Sequence, residues 1–213
     1  MIRKIIKGII VSAVIALLPV FGNIRMFYYP QLWIVFAVGF FASILQPDYR
    51  IVDDNSKTKD KCTEMQIMWS LFVTQLLIVI EAAYLRFPAS VEWDIFTTTS
   101  LLVMISGLVI RTWAVYTLGN YFTMHLAIQK EHKIIRQGPY RYVRHPSYSG
   151  AFLTFLGTAI FMHAWLSLIL ALIILPAAWL RRIHYEEKML SDELGEEYIS
   201  YCKSVKRAIP YIW

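Results

Sequence analysis

The stretch HKIIRQGPYRYVRHPSYSG, residues 132–150, concentrates side chains that can bind and orient a charged ligand. It carries two His, four Lys or Arg, three Tyr and two X-Pro steps in nineteen positions. The Gly-Pro and His-Pro steps favour two backbone turns, and Pro146 stands where proline commonly begins a helix. We expect the amide groups of Ser147 and Tyr148 to point out of that helix start, where they attract an anion such as a carboxylate.

The aromatic residues of this stretch add a second kind of chemistry. Tyr140, Tyr142 and Tyr148 offer flat faces that suit a purine or a sulfonium cation. Together with the basic residues they indicate a site for a small anionic or zwitterionic cofactor. A connector at a membrane surface with no site would share much of this composition, because such loops are rich in Lys, Arg and aromatic residues.

A second charged group, Arg181, Arg182, Glu186 and Glu187, follows directly on the last apolar segment. Arg182 and Glu186 are four residues apart and therefore share one face of a helix. An exposed ion pair is the alternative, and such a pair contributes little to stability. The two preceding apolar segments run out and back, so we expect this group to return to the membrane face on which His145 lies.

The elements that must position these groups are predicted to be membrane helices. The chain of 213 residues is 57% hydrophobic and 17% charged, whereas a soluble domain carries about 25% charged residues. We predict an all-α polytopic membrane protein that forms one compact domain, with N-terminal helices over 1–118 and a cofactor-binding region over 119–213. Six spans are predicted, over about 5–21, 31–45, 65–85, 95–118, 147–163 and 165–180, with the last two forming a helical hairpin.

The basic residues predict the orientation of this bundle. Of the 21 Lys and Arg, eighteen fall in the N-terminus, the 46–64 and 119–146 loops and the tail from 181, all on one side of a six-span bundle. The positive-inside rule assigns that side, with both termini and the candidate site, to the cytosol. Because topology accounts for the charge, no nucleic-acid partner is expected.

Isolated polar residues within the apolar segments and the two cysteines need separate interpretation. Glu81 lies near the end of its segment, and we expect its carboxylate to snorkel to the interface. Arg111 is costly inside a membrane, so we expect it to pair or to line a substrate cavity. Cys62 and Cys202 are far apart and form no CxxC, which predicts free thiols and no metal site.

The motif GPYRYVRHPSYSG, followed about forty residues later by a Glu pair and then GEEY, resembles the isoprenylcysteine carboxyl methyltransferases. The wider group includes phospholipid N-methyltransferases. The resemblance runs from about Asn120 to the C-terminus.

The resemblance implies S-adenosyl-L-methionine as cofactor and a lipophilic or prenylated acceptor that arrives from the membrane. It implies that Glu186 meets the ammonium of the cofactor and that Arg182 positions the substrate. It also implies a set of residues that line the cofactor: His132, Lys133, Ile134, Ile135, Tyr140, His145, Pro146, Ser147 and Tyr148. Where family members have a Gln upstream of the His stretch, this sequence has His125.

Several other functions remain open at this level. Phospholipid N-methylation and O-methylation of a lipidic phenol or pyrone use the same cofactor. Sterol reduction with NADPH involves a similar arginine-His element, but Ala151 stands where those enzymes tend to have an Asp. A non-catalytic scaffold would bind no cofactor at all.

Overall fold

The structure is a computed structural model that describes residues 2–46, 62–122 and 134–209. These residues form seven α-helices: α1 Ile2–Ser12, α2 Pro30–Ile44, α3 Thr63–Ile80, α4 Ile95–Leu118, α5 Pro146–Phe161, α6 Trp165–Leu194 and α7 Glu196–Ser204. Wider or tighter helical turns extend α1 through Val20 and α3 through Leu85. Apart from one parallel bridge between Val143 and Lys206, the described residues form no β pairing, so the all-α prediction is confirmed.

Three helical segments are long and apolar enough to cross a membrane: Thr63–Leu85, Ile95–Leu118 and Trp165–Leu194. The α2 helix is also apolar but shorter. Large apolar side chains on these helices, such as Trp69, Leu102 and Ile173, face outward, as they do in proteins surrounded by lipid. The predicted total of six spans stays a prediction.

The last long helix carries the charged group beyond the membrane segment. The final apolar segment is predicted to end near residue 180, and α6 continues as one helix to Leu194, which agrees with the expected shared helical face of Arg182 and Glu186. The continuation is built from good helix formers, and the next residue, Gly195, has a φ of +56° that ends the helix. At 1.5 Å per residue the helix is about 45 Å long, so its charged C-terminal third extends beyond a hydrocarbon layer about 30 Å thick.

Helices α4 and α5 pack backbone against backbone because glycines line their contact. A Cβ on Gly150 would lie 2.5 Å from the Arg111 amide nitrogen, and a Cβ on Gly157 would lie 2.6 Å from that of Met104. Small residues allow this approach in membrane helix pairs. The contact fixes the height of Arg111 on α4 relative to the first turn of α5.

The expected position of Glu81 is wrong. Its side chain is buried, with 4% exposed, and accepts hydrogen bonds from the backbone amides of Leu166 at 3.0 Å and Ser167 at 2.7 Å. Arg86 pairs with the same carboxylate at 3.1 Å. The first amides of a helix have no hydrogen-bond partners within the helix. A carboxylate that accepts from them therefore stabilises the fold more than one at the lipid surface. Glu81 therefore caps α6.

The opposite end of the bundle gathers four helix ends, and we call it the site end. The C-terminal end of α2, the start of α3, the end of α4 and the start of α5 meet there beside the middle of α6. Side-chain bonds from Arg111 to Gln46 and from Arg182 to Thr63 join them. The end that holds Glu81 is the far end.

Candidate active site

The connector before α5 reaches the site end through a turn at Gly138–Arg141. Gly138 has a φ of +55°, which glycine adopts without strain, and a Cβ there would lie 2.9 Å from Thr117 Oγ1. The turn buries Tyr140, whose carbonyl accepts a hydrogen bond of 2.6 Å from the hydroxyl of Tyr201. The connector is therefore held against both α4 and α7.

Pro146 is the first residue of α5, as predicted, and His145 precedes it. The amide of His145 donates to the Arg207 carbonyl at 2.8 Å, which ties the helix start to the C-terminal tail. The expectation of an outward-pointing amide is wrong for Tyr148, because its N–H donates to the His145 carbonyl at 3.1 Å. The first turn of the helix thus satisfies this amide internally, and the side chains of Ser147 and Tyr148 face the site instead.

Glu187 is the centre of an ion cluster in which the carboxylate and Arg144 are buried. Its Oε1 accepts from Arg144 Nη2 at 2.8 Å and lies 3.1 Å from His145 Nε2, and its Oε2 accepts from Arg207 Nε at 3.0 Å. Arg144 also donates to the carbonyls of Cys202 and Val205. The cluster joins the connector, α6 and the tail, so Glu187 maintains the shape of the site.

The neighbouring Glu186 points elsewhere, because successive helical residues are rotated by about 100°. Its carboxylate lines a cavity at the site end and accepts a hydrogen bond of 3.2 Å from the Tyr148 hydroxyl. Of the two adjacent carboxylates, Glu186 is the one that a ligand in this cavity can reach.

Arg182 lies on the same face of α6, one turn earlier. Only 4% of this residue is exposed, and its Nη1 donates to Thr63 Oγ1 at 3.0 Å. Trp179, Arg182 and Glu186 follow one another at spacings of three and four, so all three line the cavity.

Arg111 reaches the cavity from α4, so it lines a cavity as expected. Its Nη1 donates to the carbonyl and to the hydroxyl of Ser147, each at 3.2 Å, and its Nη2 donates to Gln46 Oε1 at 3.1 Å. Ser147 of α5 and Gln46, two residues after α2, thus hold the guanidinium in place.

The cavity that these residues surround has a volume of about 180 Å³. Eight of the residues predicted to form the site line it: Ile134, Ile135, Tyr140, His145, Ser147, Tyr148, Arg182 and Glu186. Pro146 is buried and does not line the cavity; it supports the helix start. His132, Lys133 and His125 lie outside the described residues.

Sequence reasoning missed several lining residues, including Glu64, Trp179, Tyr198 and Tyr201. Trp179 could have been predicted, because it lies three residues before Arg182 and seven before Glu186 and therefore shares their face of the helix. Nothing in the local sequence marks Glu64, which enters the cavity from the first turn of α3.

Two phenols at the site are held in the neutral form. Burial, with the nearby Glu186 carboxylate, raises the pKa of Tyr140 above its usual value, and burial raises the pKa of Tyr201 to about 12. A phenol with a raised pKa stays protonated near pH 7, so both tyrosines serve as hydrogen-bond donors and are poor bases.

The cavity combines an aromatic surface with charges of both signs. The rings of Tyr148 and Trp179 lie 6.0 Å apart, and those of His145 and Tyr148 lie 5.8 Å apart. Within residues 2–46, 62–122 and 134–209, no group of three or more His, Cys, Asp or Glu is placed to hold a metal ion. The arrangement suits a ligand with an aromatic or cationic part and a zwitterionic end.

Comparison with known proteins agrees with this chemistry. Residues 100–192 match the model of the isoprenylcysteine carboxyl methyltransferase family. A probable protein-S-isoprenylcysteine O-methyltransferase of Oryza sativa subsp. indica is 37% identical over 130 residues, which is 60% of this chain and 68% of the rice protein. Protein-S-isoprenylcysteine O-methyltransferase B of Arabidopsis thaliana is 30% identical over 144 residues, or 66% of this chain and 73% of its own.

The fold also resembles a solved structure. The eukaryotic intramembrane Ras methyltransferase, an isoprenylcysteine carboxyl methyltransferase, superposes with a TM-score of 0.59 at 23% identity. The match covers 94% of this chain and 74% of that one. A match of this extent reaches beyond residues 100–192 into the N-terminal helices, where the sequence carries no motif.

Proposed function

The chain belongs to the isoprenylcysteine carboxyl methyltransferase family, and from that premise we propose that it methylates the carboxylate of an isoprenylcysteine-like lipophilic acceptor with S-adenosylmethionine as donor. The chain is thus a membrane methyltransferase, and the cavity at the site end is its active site. The observation that carries the proposal is the meeting of Arg182 and Glu186, on one face of α6, with the aromatic connector.

The residues present fit this donor. When bound, S-adenosylmethionine supplies an electrophilic methyl group on a sulfonium that departs as a neutral thioether. The rings of Tyr140, Tyr148 and Trp179 offer the faces that attract such a cation. Glu186 offers a carboxylate to the ammonium of the methionine end.

Arg182 holds the acceptor in this proposal. A guanidinium binds a carboxylate through two parallel hydrogen bonds, and burial at 4% exposure removes competing water. The donor would give its methyl group to the acceptor oxygen and leave as the neutral thioether. No proton acceptor would be needed, which suits a cavity whose phenols are poor bases.

The lipid part of the acceptor is assigned to the α3 side. Ile67, Met68 and Leu71 line the cavity there, and Met68 is also exposed on the outer surface of the helix. An apolar chain in the membrane can therefore reach the cavity beside α3 without crossing water. The protein's main contribution is then to position the reactants and to stabilise charge.

The test is transfer from isotopically labelled S-adenosylmethionine to N-acetyl-S-farnesylcysteine by the purified protein. A methyl ester releases its label as methanol in base, whereas an N-methyl group or a phenol ether does not. Base-labile label on the farnesyl compound supports the proposal. Base-stable label in a phospholipid or phenol acceptor, with none on the farnesyl compound, contradicts it.

A further inference from the structure

Arg111 places a positive charge inside the bundle at the wall of the cavity, and its hydrogen-bond partners are all neutral. They are the carbonyl and hydroxyl of Ser147 and the side-chain amide of Gln46. Among residues 2–46, 62–122 and 134–209, no carboxylate forms an ion pair with this guanidinium. The neutral bonds orient the cation toward the cavity without neutralising it.

A cation in such a place is expensive. A charge removed from water costs several kcal/mol unless an opposite charge compensates it, and inside a membrane segment the cost is generally met by a functional partner. An anion in the cavity would supply the missing charge. Because the guanidinium is already fixed by three bonds, an anion gains from it with little loss of side-chain entropy.

The charges around the cavity indicate which anion would fit. Ser147, which accepts from Arg111, is followed in the chain by Tyr148, which donates to Glu186 at 3.2 Å. Tyr140 lies close enough to both charges that Glu186 raises its pKa while Arg111 lowers it. One cation on α4 and one carboxylate on α6 therefore flank the same pair of phenols.

We propose that Arg111 binds the carboxylate of the methionine end of S-adenosylmethionine, while Glu186 binds its ammonium. A free α-amino acid presents these two charges on one carbon, and this arrangement of a cation and a carboxylate across two tyrosines matches it. The acceptor carboxylate stays assigned to Arg182. This inference rests on the proposed function, because it assumes that the cavity takes this donor.

Two nucleosides test it on the intact protein in detergent. S-adenosylhomocysteine carries the amino-acid end, and 5′-methylthioadenosine has the same adenosine and sulfur without it. We expect Arg111→Gln to weaken the binding of S-adenosylhomocysteine about tenfold to a hundredfold, as for a lost hydrogen bond to a charged group. Binding of 5′-methylthioadenosine should change by less than about threefold, because no charged contact is lost. The affinity of Arg111→Lys for S-adenosylhomocysteine should lie between those of the unaltered protein and Arg111→Gln, since an ammonium keeps the charge but lacks the planar guanidinium.

A matched control is Arg86→Gln, which removes a guanidinium at the far end, where it pairs with Glu81. It should leave both nucleoside affinities unchanged. An equal loss of affinity for both nucleosides in Arg111→Gln and Arg111→Lys would mean that Arg111 only supports the fold. That result would overturn the inference. Unchanged nucleoside binding with a raised acceptor KM also overturns it and assigns Arg111 to the acceptor. If the unaltered protein binds neither nucleoside, the proposed cofactor itself is wrong.

Discussion

Glu186 and Glu187 are adjacent in the chain, yet the structure assigns them different surroundings. Glu186 faces the cavity, whereas Glu187 is surrounded by Arg144, His145 and Arg207. A substitution that removes only the charge should therefore have a different effect at each position.

We expect Glu186→Gln to weaken S-adenosylhomocysteine binding while thermal stability stays near that of the unaltered protein. Glu187→Gln should instead destabilise the fold by about 3–5 kcal/mol, because it leaves the buried Arg144 without its anion. Thermal unfolding and nucleoside titration on both variants separate the two effects. Normal affinity in Glu186→Gln would remove Glu186 from the cofactor site.

Arg182→Ala should abolish turnover while cofactor affinity stays within a few-fold of normal. Loss of a bidentate contact to the acceptor carboxylate costs about 2–4 kcal/mol of transition-state stabilisation, which is about a thirty- to thousandfold loss in kcat/KM. Arg182→Lys should restore part of the activity.

The control for this experiment is Arg181→Ala, because Arg181 is the exposed neighbour. Initial rates and nucleoside affinity are measured on the same preparations. Near-normal rates in Arg182→Ala, or a parallel loss of rate and cofactor binding, would contradict an acceptor role.

At the scale of elements, the contact between α4 and α5 positions the site. The Cβ introduced by Gly150→Ala would lie 2.5 Å from the Arg111 nitrogen and 2.7 Å from the Gly107 carbonyl oxygen. We expect a loss of about 1–3 kcal/mol of stability from overpacking, together with weaker cofactor binding as Arg111 moves. In Gly39→Ala the nearest atom is Ser12 Oγ at 3.4 Å, so this control should unfold at or slightly above the normal temperature.

The start of α4 predicts an acid-sensitive contribution to stability. The backbone hydrogen bond from Thr97, with help from His163, lowers the pKa of Asp94 from 3.8 to about 2. Because the folded pKa is the lower one, the contribution is complete above pH 3.8 and is lost as the pH falls through 2. Asp94→Asn keeps a capping side chain that does not titrate, so its unfolding temperature should depend less on pH between about 4 and 2. Parallel pH profiles for the two proteins would contradict this assignment.

At the scale of the whole molecule, basic residues of the connector before α5 and of the tail after α6 lie at the site end, where Arg144 and Arg207 pair with Glu187. The start of α3 also lies there, and Gly8 of α1 packs against Ile44 near the end of α2. The charge asymmetry predicts that this end faces the cytosol.

Cysteine labelling measures that orientation. In a background with Cys62→Ser and Cys202→Ser, the exposed position in Gln137→Cys should react with a membrane-impermeant maleimide added from the cytosolic side. Tyr28→Cys, exposed between α1 and α2, should react from the opposite side. The reverse pattern would invert the predicted topology.

The sequence by itself determined the local features of this protein. It predicted α4 at its observed bounds, the helix start at Pro146 and the hairpin that returns Arg182 toward the connector. Each of these depends on hydropathy over one turn or more, or on the backbone restrictions of proline, and both act between residues close in the chain.

Only the tertiary structure decided which polar groups meet. Glu81 caps a helix that begins more than eighty residues later, and Arg111 binds Ser147 from thirty-six residues away. The choice between Glu186 and Glu187 likewise depends on how far α6 is rotated about its axis. Rotation and helix height are set by close packing across glycines such as Gly150, and no local pattern encodes that packing because it involves the surfaces of two helices at once.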